Sequence, residues 1–300
     1  MRFQLIRGSA VAVTMGVVIA ILWSGSNSAV GQTPTAYKAP RNVFGQPDIS
    51  GYWQAINTAN WDLEAHAAEA APYRHLVGAW LVQPPGASVV EGGTIPYKPE
   101  ALETRKKFRE QRLKPDPLLS ENKSVADNSD PEAKCYQGGV PRSTYMPYPF
   151  QILQAKDEVL IRYQFGGYAL RVLHLNKQRS DLFNQYAWNG QTVAKWDGDT
   201  LVTDVRWFFG PIVWLDRAGN FYGGEYAENA NVVERYTPVS PYHLMYEATI
   251  TDPDVYTRPW KIKLPLYKII DPDFQLLELQ CIPMAEDFLY GSLYKKPLTR

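Results

Sequence analysis

Two candidate β-hairpins in tandem, within residues 159–207, constrain the fold of this chain more than any other stretch. In the first, strand-like residues flank Gly166 and Gly167, and a two-residue Gly-Gly turn is a strong hairpin signal. The second closes at Asp197 and Gly198, where the turn needs residues that tolerate positive φ. The stretch therefore predicts an antiparallel sheet with one apolar face.

The alternation of side chains along a strand assigns residues to the two faces of each hairpin. With Phe165 opposite Tyr168, the apolar face of the first hairpin contains Val159, Ile161, Tyr163, Phe165, Tyr168, Leu170 and Val172. His174 continues this face, so we expect it to point into the protein interior. The apolar face of the second hairpin contains Ala194, Trp196, Leu201, Thr203, Val205 and Trp207.

Further strands are predicted at 230–236, 243–251, 258–266 and 274–282. About eight strands in simple succession, with short turns and no helices between them, favour an antiparallel up-and-down β-barrel with a lipocalin-like outline. A two-sheet β-sandwich is the alternative. The protein is therefore expected to be mainly β, with an N-terminal helical or irregular segment wrapped around the barrel.

The N-terminal residues have the features of a targeting segment. Arg2 and Arg7 precede an apolar run at 9–23, which is shorter than the ~20 residues of a membrane span. We expect a signal peptide at 1–31 and a periplasmic or secreted protein; an uncleaved N-terminal membrane anchor is the alternative. Residues 32–130 are predicted to form an extension with short helices, the clearest at 99–114, which packs as one unit with a barrel domain at 131–300.

Charge and cysteine content narrow the possible partners. The chain has 31 basic and 31 acidic residues and no basic stripe, which argues against a nucleic-acid partner. Cys135 and Cys281 are the two cysteines, and in an oxidising compartment they predict a disulfide. Free thiols or a thiol nucleophile are the alternatives. Neither CxxC nor HxxxH occurs, so no metal site and no cofactor are predicted, although Asp or Glu ligands remain possible.

Several motifs resemble those of a family of secreted bacterial β-rich proteins for which no activity is established. They are CYQGGVPRSTYMPYPFQI, WNGQTVAKWDGDTLVTD, WLDRAG, VVERYTP, DPDVYTRPW and, near the N-terminus, NTANWDLEAHAA. The resemblance implies an exported β-rich protein. Members often have a His-Ser pair after the WLD motif, where this chain has Phe221 and Tyr222. The GFND-like stretch is also altered, to WFFG at 207–210, so the ligand or substrate is expected to differ.

Two irregular segments carry candidate ligand contacts. Arg142, Tyr145 and Tyr148 lie on a proline-rich segment expected beside the barrel mouth, where they either contact a ligand or plug the barrel, with Arg142 paired to a carboxylate. The long Gly- and aromatic-rich loop after Trp207 has the composition of a lid. The complete predicted ligand-binding set is Tyr145, Tyr148, Tyr168, Trp196, Trp207, Asp216 and Tyr222.

Three classes of function fit these features. The first is a barrel that binds a small hydrophobic or aromatic molecule in an internal pocket. The second is a cofactor-independent enzyme of the same shape (a dehydratase or other lyase, an isomerase, a cyclase or a hydrolase), with His174 as base and Tyr163, Tyr168 and Arg142 as orienting groups or oxyanion stabilisers. The third is a structural protein of the envelope, which would present a large exposed apolar patch.

Overall fold

The computed structural model describes residues 37–69, 83–112, 130–132, 135–179, 185–209, 212–223, 229–279 and 281. These residues belong to one compact unit, Tyr37–Arg300. The predicted signal peptide lies outside the described residues. No helix among the described residues is long and apolar enough to cross a membrane.

A closed barrel of nine strands dominates the structure, so the prediction of a β-barrel is confirmed. Its strands are β1 Gly51–Ala55, β2 Phe150–Gln154, β3 Glu158–Tyr163, β4 Leu170–Leu175, β5 Gln191–Asp197, β6 Thr200–Arg206, β9 Asn231–Ser240, β10 His243–Thr251 and β11 Trp260–Lys268. They follow one another around the barrel in sequence order, and β11 closes on β1. A separate two-stranded sheet consists of β7 Val213–Trp214 and β8 Phe221–Tyr222.

One pair of neighbouring strands, β4 and β5, is parallel, and the other pairs in the barrel are antiparallel. An odd number of strands cannot alternate in direction all the way around a closed ring. The purely antiparallel expectation therefore fails at one place, where the long connection between β4 and β5 returns the chain to the end from which β4 began.

The first predicted hairpin exists, but its register differs from the prediction by one residue. Gly166 and Gly167, at φ 81° and 68°, lie within a short helical turn, α3 Phe165–Tyr168, instead of forming a two-residue loop. Arg162 consequently pairs with Leu170. Because side chains alternate along a strand, this one-residue shift exchanges the two faces of β4.

The inner face of β4 therefore consists of Arg171, Leu173 and Leu175, all buried, whereas Leu170 is exposed. The prediction that His174 points inward is wrong. His174 lies on the outer face, half-buried, with Nδ1 3.4 Å from Glu158 Oε1 on β3.

The second hairpin has the predicted faces. Asp197 pairs with Thr200, so the loop consists of Gly198 and Asp199, with Gly198 at φ 59°. Ala194, Leu201, Thr203 and Val205 are buried in the barrel, as expected. The predicted strand at 274–282 is absent from its described part, 274–279 and 281, where the chain is irregular.

Both ends of the barrel are covered by other parts of the chain. We call the end where β3 finishes and β4 begins the upper end, and the end at the Gly198–Asp199 turn the lower end. The upper end receives the short helix α2 Arg142–Tyr145, whose four residues are all buried. Residues 37–50 cross the lower end, where Ala39 N donates to Asp199 Oδ2 and Gln46 Nε2 to the carbonyl oxygen of Ala155.

Helix α1, Pro99–Arg112, confirms the clearest helix prediction as far as residue 112. Its Phe108 ring packs 4.8 Å from Trp214 and 5.2 Å from Phe221, so the helix covers the β7–β8 sheet. Its basic residues are not only solvated, as the sequence suggested, because Arg105 pairs with Glu64 and Arg109 with Glu69. The helical composition of 61–80 does not produce a helix at 61–69, and 70–80 lie outside the described residues.

The predicted disulfide between Cys135 and Cys281 is confirmed, across a sequence separation of 146 residues. It ties the C-terminal segment to the chain just before α2, at the upper end. By closing this long loop it restricts the unfolded chain more than the folded one, which stabilises the fold in the entropic model.

Candidate functional site

A charged pair lies inside the barrel, where sequence reasoning expected an apolar pocket. Arg171 on β4 and Glu234 on β9 are both fully buried and form an ion pair through both carboxylate oxygens. Thr203 Oγ1 donates to Glu234 at 2.8 Å, Tyr246 OH at 2.8 Å and Tyr236 OH at 3.1 Å. The remaining guanidinium nitrogen of Arg171 donates to Thr192 Oγ1 at 3.2 Å.

The two charges in this cluster neutralise each other. Burial alone would raise the pKa of Glu234, but the Arg171 charge and the hydroxyl donors outweigh burial and hold that pKa below its ordinary value. Burial alone would likewise lower the pKa of Arg171, and Glu234 raises it instead. Both groups are therefore charged at neutral pH, and each is already occupied by partners within the protein.

The interior around this pair is filled by side chains. Inward-facing residues from every part of the barrel, such as Phe150, Ile161, Leu201 and Ile262, leave essentially no surface open even to water. Tyr163, predicted as an orienting group for catalysis, is buried here and its OH lies 3.2 Å from Thr144 Oγ1. The described residues thus leave no room for a ligand at the position expected for the internal pocket.

Arg142, another predicted orienting group, lies on helix α2 in a second buried network. Its guanidinium donates to both carboxylate oxygens of Asp130, at 2.6 and 2.8 Å, and to Glu132 at 2.8 Å. Glu132 also accepts from Arg217 at 2.7 Å. Of the two interpretations offered by the sequence, the plug with a paired Arg142 is the one observed.

The pKa of Glu132 shows how strongly its arginine partners stabilise the carboxylate. Burial opposes its ionisation, but the hydrogen bond and charge of Arg217 and the charge of Arg142 outweigh burial and lower its pKa to about 2. Arg217 also lies over the Trp61 ring, at 4.1 Å from its centroid. The network joins the N-terminal extension, the plug and the loop after β7.

Asp216, predicted to contact a ligand, is fully buried and holds its own loop together. One carboxylate oxygen accepts from the backbone N–H groups of Ala218 and Asn220, and the other from the Leu63 N–H and the Asn220 side-chain amide. Burial, followed by the charge of neighbouring Asp62, raises the pKa of Asp216 to about 7. The WLDRAGN motif therefore encodes a turn that binds the extension to the barrel.

Other members of the predicted ligand set also contact the protein itself. Tyr145 OH donates to the carbonyl oxygen of Leu215 at 2.6 Å, and Tyr222 OH to that of Val140 at 2.5 Å. The half-buried Tyr148 stacks on Phe165 with centroids 4.9 Å apart. Trp196 packs against the core. The side chain of Tyr168 lies outside the described part of the structure.

Trp207 has a positive φ of 58°, and this left-handed residue redirects the chain beyond β6. Its backbone then pairs with the segment before β5, because Ala187 N donates to the Trp207 oxygen at 3.1 Å and Phe209 N to the Ala187 oxygen at 2.8 Å. This short parallel bridge places Trp188 beside Phe209 at the rim of the upper end.

Here the structure contains a candidate site that the sequence did not predict, which we call the aromatic groove. Its three exposed rings are Tyr136, Trp188 and Phe209, with 50%, 37% and 51% of their surfaces exposed. The Trp188 centroid lies 5.3 Å from Tyr136 and 5.2 Å from Phe209, so the rings form a continuous row. The depression next to them is lined by Pro131, Gln137, Gly138, Gly139, Trp188, Phe209, Ile212, Val213 and Trp214.

The floor of the groove is held in place by close backbone packing. Gly139 has φ 73°, and a Cβ there would lie 2.9 Å from Val213 Cγ1, so a side chain at this position would fill the floor. Beside it, Asn189 Nδ2 donates to Gln137 Oε1 at 3.0 Å, and Ser143 Oγ on the plug donates to Asn189 Oδ1 at 3.2 Å. A fixed amide pair thus lies next to the exposed rings.

The nine described residues that line the groove are uncharged, and the rings offer flat apolar faces with an amide at one side. Among the described residues, no group of His, Cys, Asp or Glu side chains is arranged to hold a metal ion. Compared with protein-family models, curated proteins and solved structures, the chain matches none of them.

Proposed function

We propose that this chain is an exported barrel protein that binds a small, uncharged molecule with a flat apolar face in the aromatic groove. The observation that carries the proposal is the row of three exposed, mutually contacting rings. Single exposed apolar residues are ordinary, but a contiguous patch of them beside a concave surface marks a binding site. The disulfide supports export, because such bonds persist in oxidising compartments.

The chemistry of the lining defines the ligand class. The described lining offers no charge to neutralise an ionic ligand, and leaving a ligand charge without a partner is unfavourable. The Trp188 ring binds a flat apolar face by stacking, and the Gln137 amide adds a polar group that selects orientation. Small aromatic or hydrophobic molecules fit this description, and the proposed site is at the rim of the barrel rather than inside it.

Catalysis in the barrel is the weaker proposal. His174 on the outer face is far in the fold from the groove, and Tyr163 and Arg142 are occupied by protein partners. We therefore favour binding over acid–base chemistry.

The test uses N-phenyl-1-naphthylamine, an uncharged aromatic probe that fluoresces in apolar sites. We expect saturable binding to the wild-type protein and at least about tenfold weaker binding to Trp188→Ala, as for a central aromatic contact. Tyr242→Ala is the control, because Tyr242 is a more exposed ring than Trp188 and lies at the lower end, away from the groove. Unfolding curves of all three proteins establish that the fold is retained.

The proposal fails if Trp188→Ala and Phe209→Ala bind the probe as tightly as the wild type does. Native mass spectrometry of the protein from its own source adds a second readout. A co-purifying uncharged aromatic molecule that is lost in Trp188→Ala would identify a ligand directly.

A further inference from the structure

The lower end of the barrel also exposes large apolar side chains, and they lie far from the aromatic groove. Val43 is 93% exposed and Ile270 72% exposed, values unusual for residues of this size. The complete set, which we call the lower rim, is Val43, Phe44, Val239, Tyr242 and Ile270.

Local structure explains why these side chains project outward. Val43 and Phe44 occupy a tight turn in which Asn42 Oδ1 accepts from the N–H groups of Phe44 and Gln46. Gln46 Nε2 fixes this turn to the β2–β3 loop by donating to the Lys156 carbonyl oxygen at 2.9 Å. The turn is thus a rigid projection and not a loose loop.

The other members of the lower rim come from neighbouring strands. Val239 lies near the end of β9, and Tyr242 lies in the turn between β9 and β10. Ile270 follows β11, whose last residue, Lys268, donates its N–H to the Tyr242 carbonyl oxygen at 2.9 Å. Since all these strand ends meet at one end of a closed barrel, the five side chains ring the same surface.

The charges beside the lower rim are largely balanced. Arg41 pairs with Asp199 at 2.6 Å, and Arg235 pairs with Asp197 at 3.0 Å. Neither sign of charge dominates these neighbours, so the surface combines projecting apolar tips with paired ions. This combination suits insertion into the interface of an electrically neutral bilayer more than attraction to an acidic one.

The path of the chain indicates which partner the lower rim would contact. Ala39, near the first described residue, hydrogen-bonds to Asp199, so the polypeptide reaches the barrel at this end. The 36 residues that precede the first described residue, Tyr37, include the apolar run at 9–23, which follows Arg2 and Arg7. A segment of this kind is delivered to a membrane during export, and the chain that follows it joins the barrel at the lower end.

We propose that the lower rim docks on the surface of a lipid bilayer, with Phe44, Tyr242 and Ile270 inserted at the level of the headgroups. The aromatic groove, at the opposite end, then faces away from the membrane and is open to ligands. This proposal does not depend on the ligand proposed for the groove.

The native cysteines are bonded to each other, so an introduced cysteine is a unique site for a thiol-reactive, polarity-sensitive fluorophore. Full-length Phe44→Cys and Tyr242→Cys proteins are labelled, with Ile56→Cys, an exposed position beyond the upper end of β1, as the control. On addition of phosphatidylcholine vesicles, we expect a blue shift at positions 44 and 242 and none at position 56. Because the N-terminal segment joins the barrel at the lower end, its own lipid binding would also bring positions 44 and 242 near the vesicle. The flotation comparison below separates the two effects, since only side chains of the lower rim change in it.

A second measurement compares vesicle flotation of the wild type with the triple variant Phe44→Asp/Tyr242→Asp/Ile270→Asp. We expect about tenfold or greater loss of partitioning, because inserted apolar surface is replaced by charge. Equal shifts at both ends, or no shift at either, would overturn the proposal. A shift that appears with rising protein concentration in the absence of vesicles would overturn it in favour of a second copy of the chain.

Discussion

Replacing Glu234 by glutamine tests the view that the barrel interior is a structural element and not a ligand pocket. The substitution keeps the size of the side chain and exchanges one carboxylate oxygen for an amide donor. One oxygen faces Arg171, Tyr236 and Tyr246, and the other faces Arg171 and Thr203. Either orientation of the glutamine places a donor against donors and leaves the Arg171 charge without its counter-ion.

The magnitude follows from complete burial of the pair. Breaking a buried ion pair by removing one partner costs about 3–5 kcal/mol, because the remaining charge stays in a medium of low dielectric constant. We therefore expect Glu234→Gln to lower the free energy of unfolding by that amount. Arg171→Met should cost a similar amount, and the double variant should cost about 2–3 kcal/mol less than the sum, since neither charge then remains unpaired.

The assay is equilibrium urea unfolding at pH 7, followed by circular dichroism with the disulfide intact. Lys263→Met is the matched control: it breaks the Lys263–Glu247 pair, 3.1 Å apart on the outer face of the barrel. Exposed pairs contribute at most about 1 kcal/mol, so this variant should unfold almost as the wild type does. If Glu234→Gln also changes stability by less than about 1 kcal/mol, our account of the interior is wrong.

The same pair predicts the pH dependence of that difference. The folded-state pKa of Glu234 is lower than its ordinary value of 4.5, so its stabilisation is fully present above that value. The stabilisation is lost as the pH falls through the lower, folded-state pKa. The gap between wild type and Glu234→Gln should therefore be constant from pH 6 to 8 and narrow in strong acid.

Three further predictions concern other parts of the chain. The pKa of Asp216 is raised from 3.8 to about 7, so between these values the folded protein retains a proton that the unfolded chain has released. Wild-type stability should therefore fall as the pH rises from about 4 through 7, by at most about 4 kcal/mol. Urea unfolding of Asp216→Asn should lack this pH-dependent step. Reduction of the disulfide, which spans 146 residues, should cost about 5 kcal/mol in the entropic model, visible as a lower urea midpoint with a reductant present. Gly167→Ala should cost about 1 kcal/mol of stability, because of its positive φ alone. Gly166→Ala should cost more, because its Cβ would also lie 2.9 Å from Gln137 Cγ. Thermal unfolding that ranks the two variants in the opposite order would contradict the geometry of α3.

The first hairpin shows how far sequence patterns reach in this protein. The alternation in β3 correctly identified Val159, Ile161 and Tyr163 as buried. The faces of β4 depended on the conformation of Gly166 and Gly167, which the residue types do not determine. The turn is longer than predicted, so Arg171 points into the barrel and His174 points out of it. A catalytic role for His174 inside the barrel is therefore no longer supported.

The buried charges illustrate a second limit. A pattern of apolar and polar residues treats Arg171 and Glu234 as surface positions, since isolated charges are almost never buried. Each of the two can be buried only because the other balances its charge, and they are 63 positions apart in the sequence. No local signal connects them, although the VVERY motif that contains Glu234 is part of the resemblance to secreted β-rich proteins.

The groove was missed for a related reason. Tyr136, Trp188 and Phe209 belong to three separate segments, and the bridge between Ala187 and Phe208 that aligns two of them lies outside the main strands. The one sequence signal was the altered WFFG stretch, which contains Phe209 and indicated a change of ligand. It indicated this loop but not the surface on which Phe209 lies.

Helix α2 connects the filled interior of the barrel with the aromatic groove, so the interior can hold the proposed binding site in place. Thr144 contacts the hydroxyls of Tyr163 and Tyr236, and Tyr236 in turn donates to Glu234 inside the barrel. The adjacent Ser143 points the other way and donates to Asn189 beside the exposed rings. The buried ion pair thus fixes the plug, and the plug fixes the amide that borders the groove. The proposed site therefore needs no cavity in the core, because the core fixes the position of the groove and the side chains at the rim would contact the ligand.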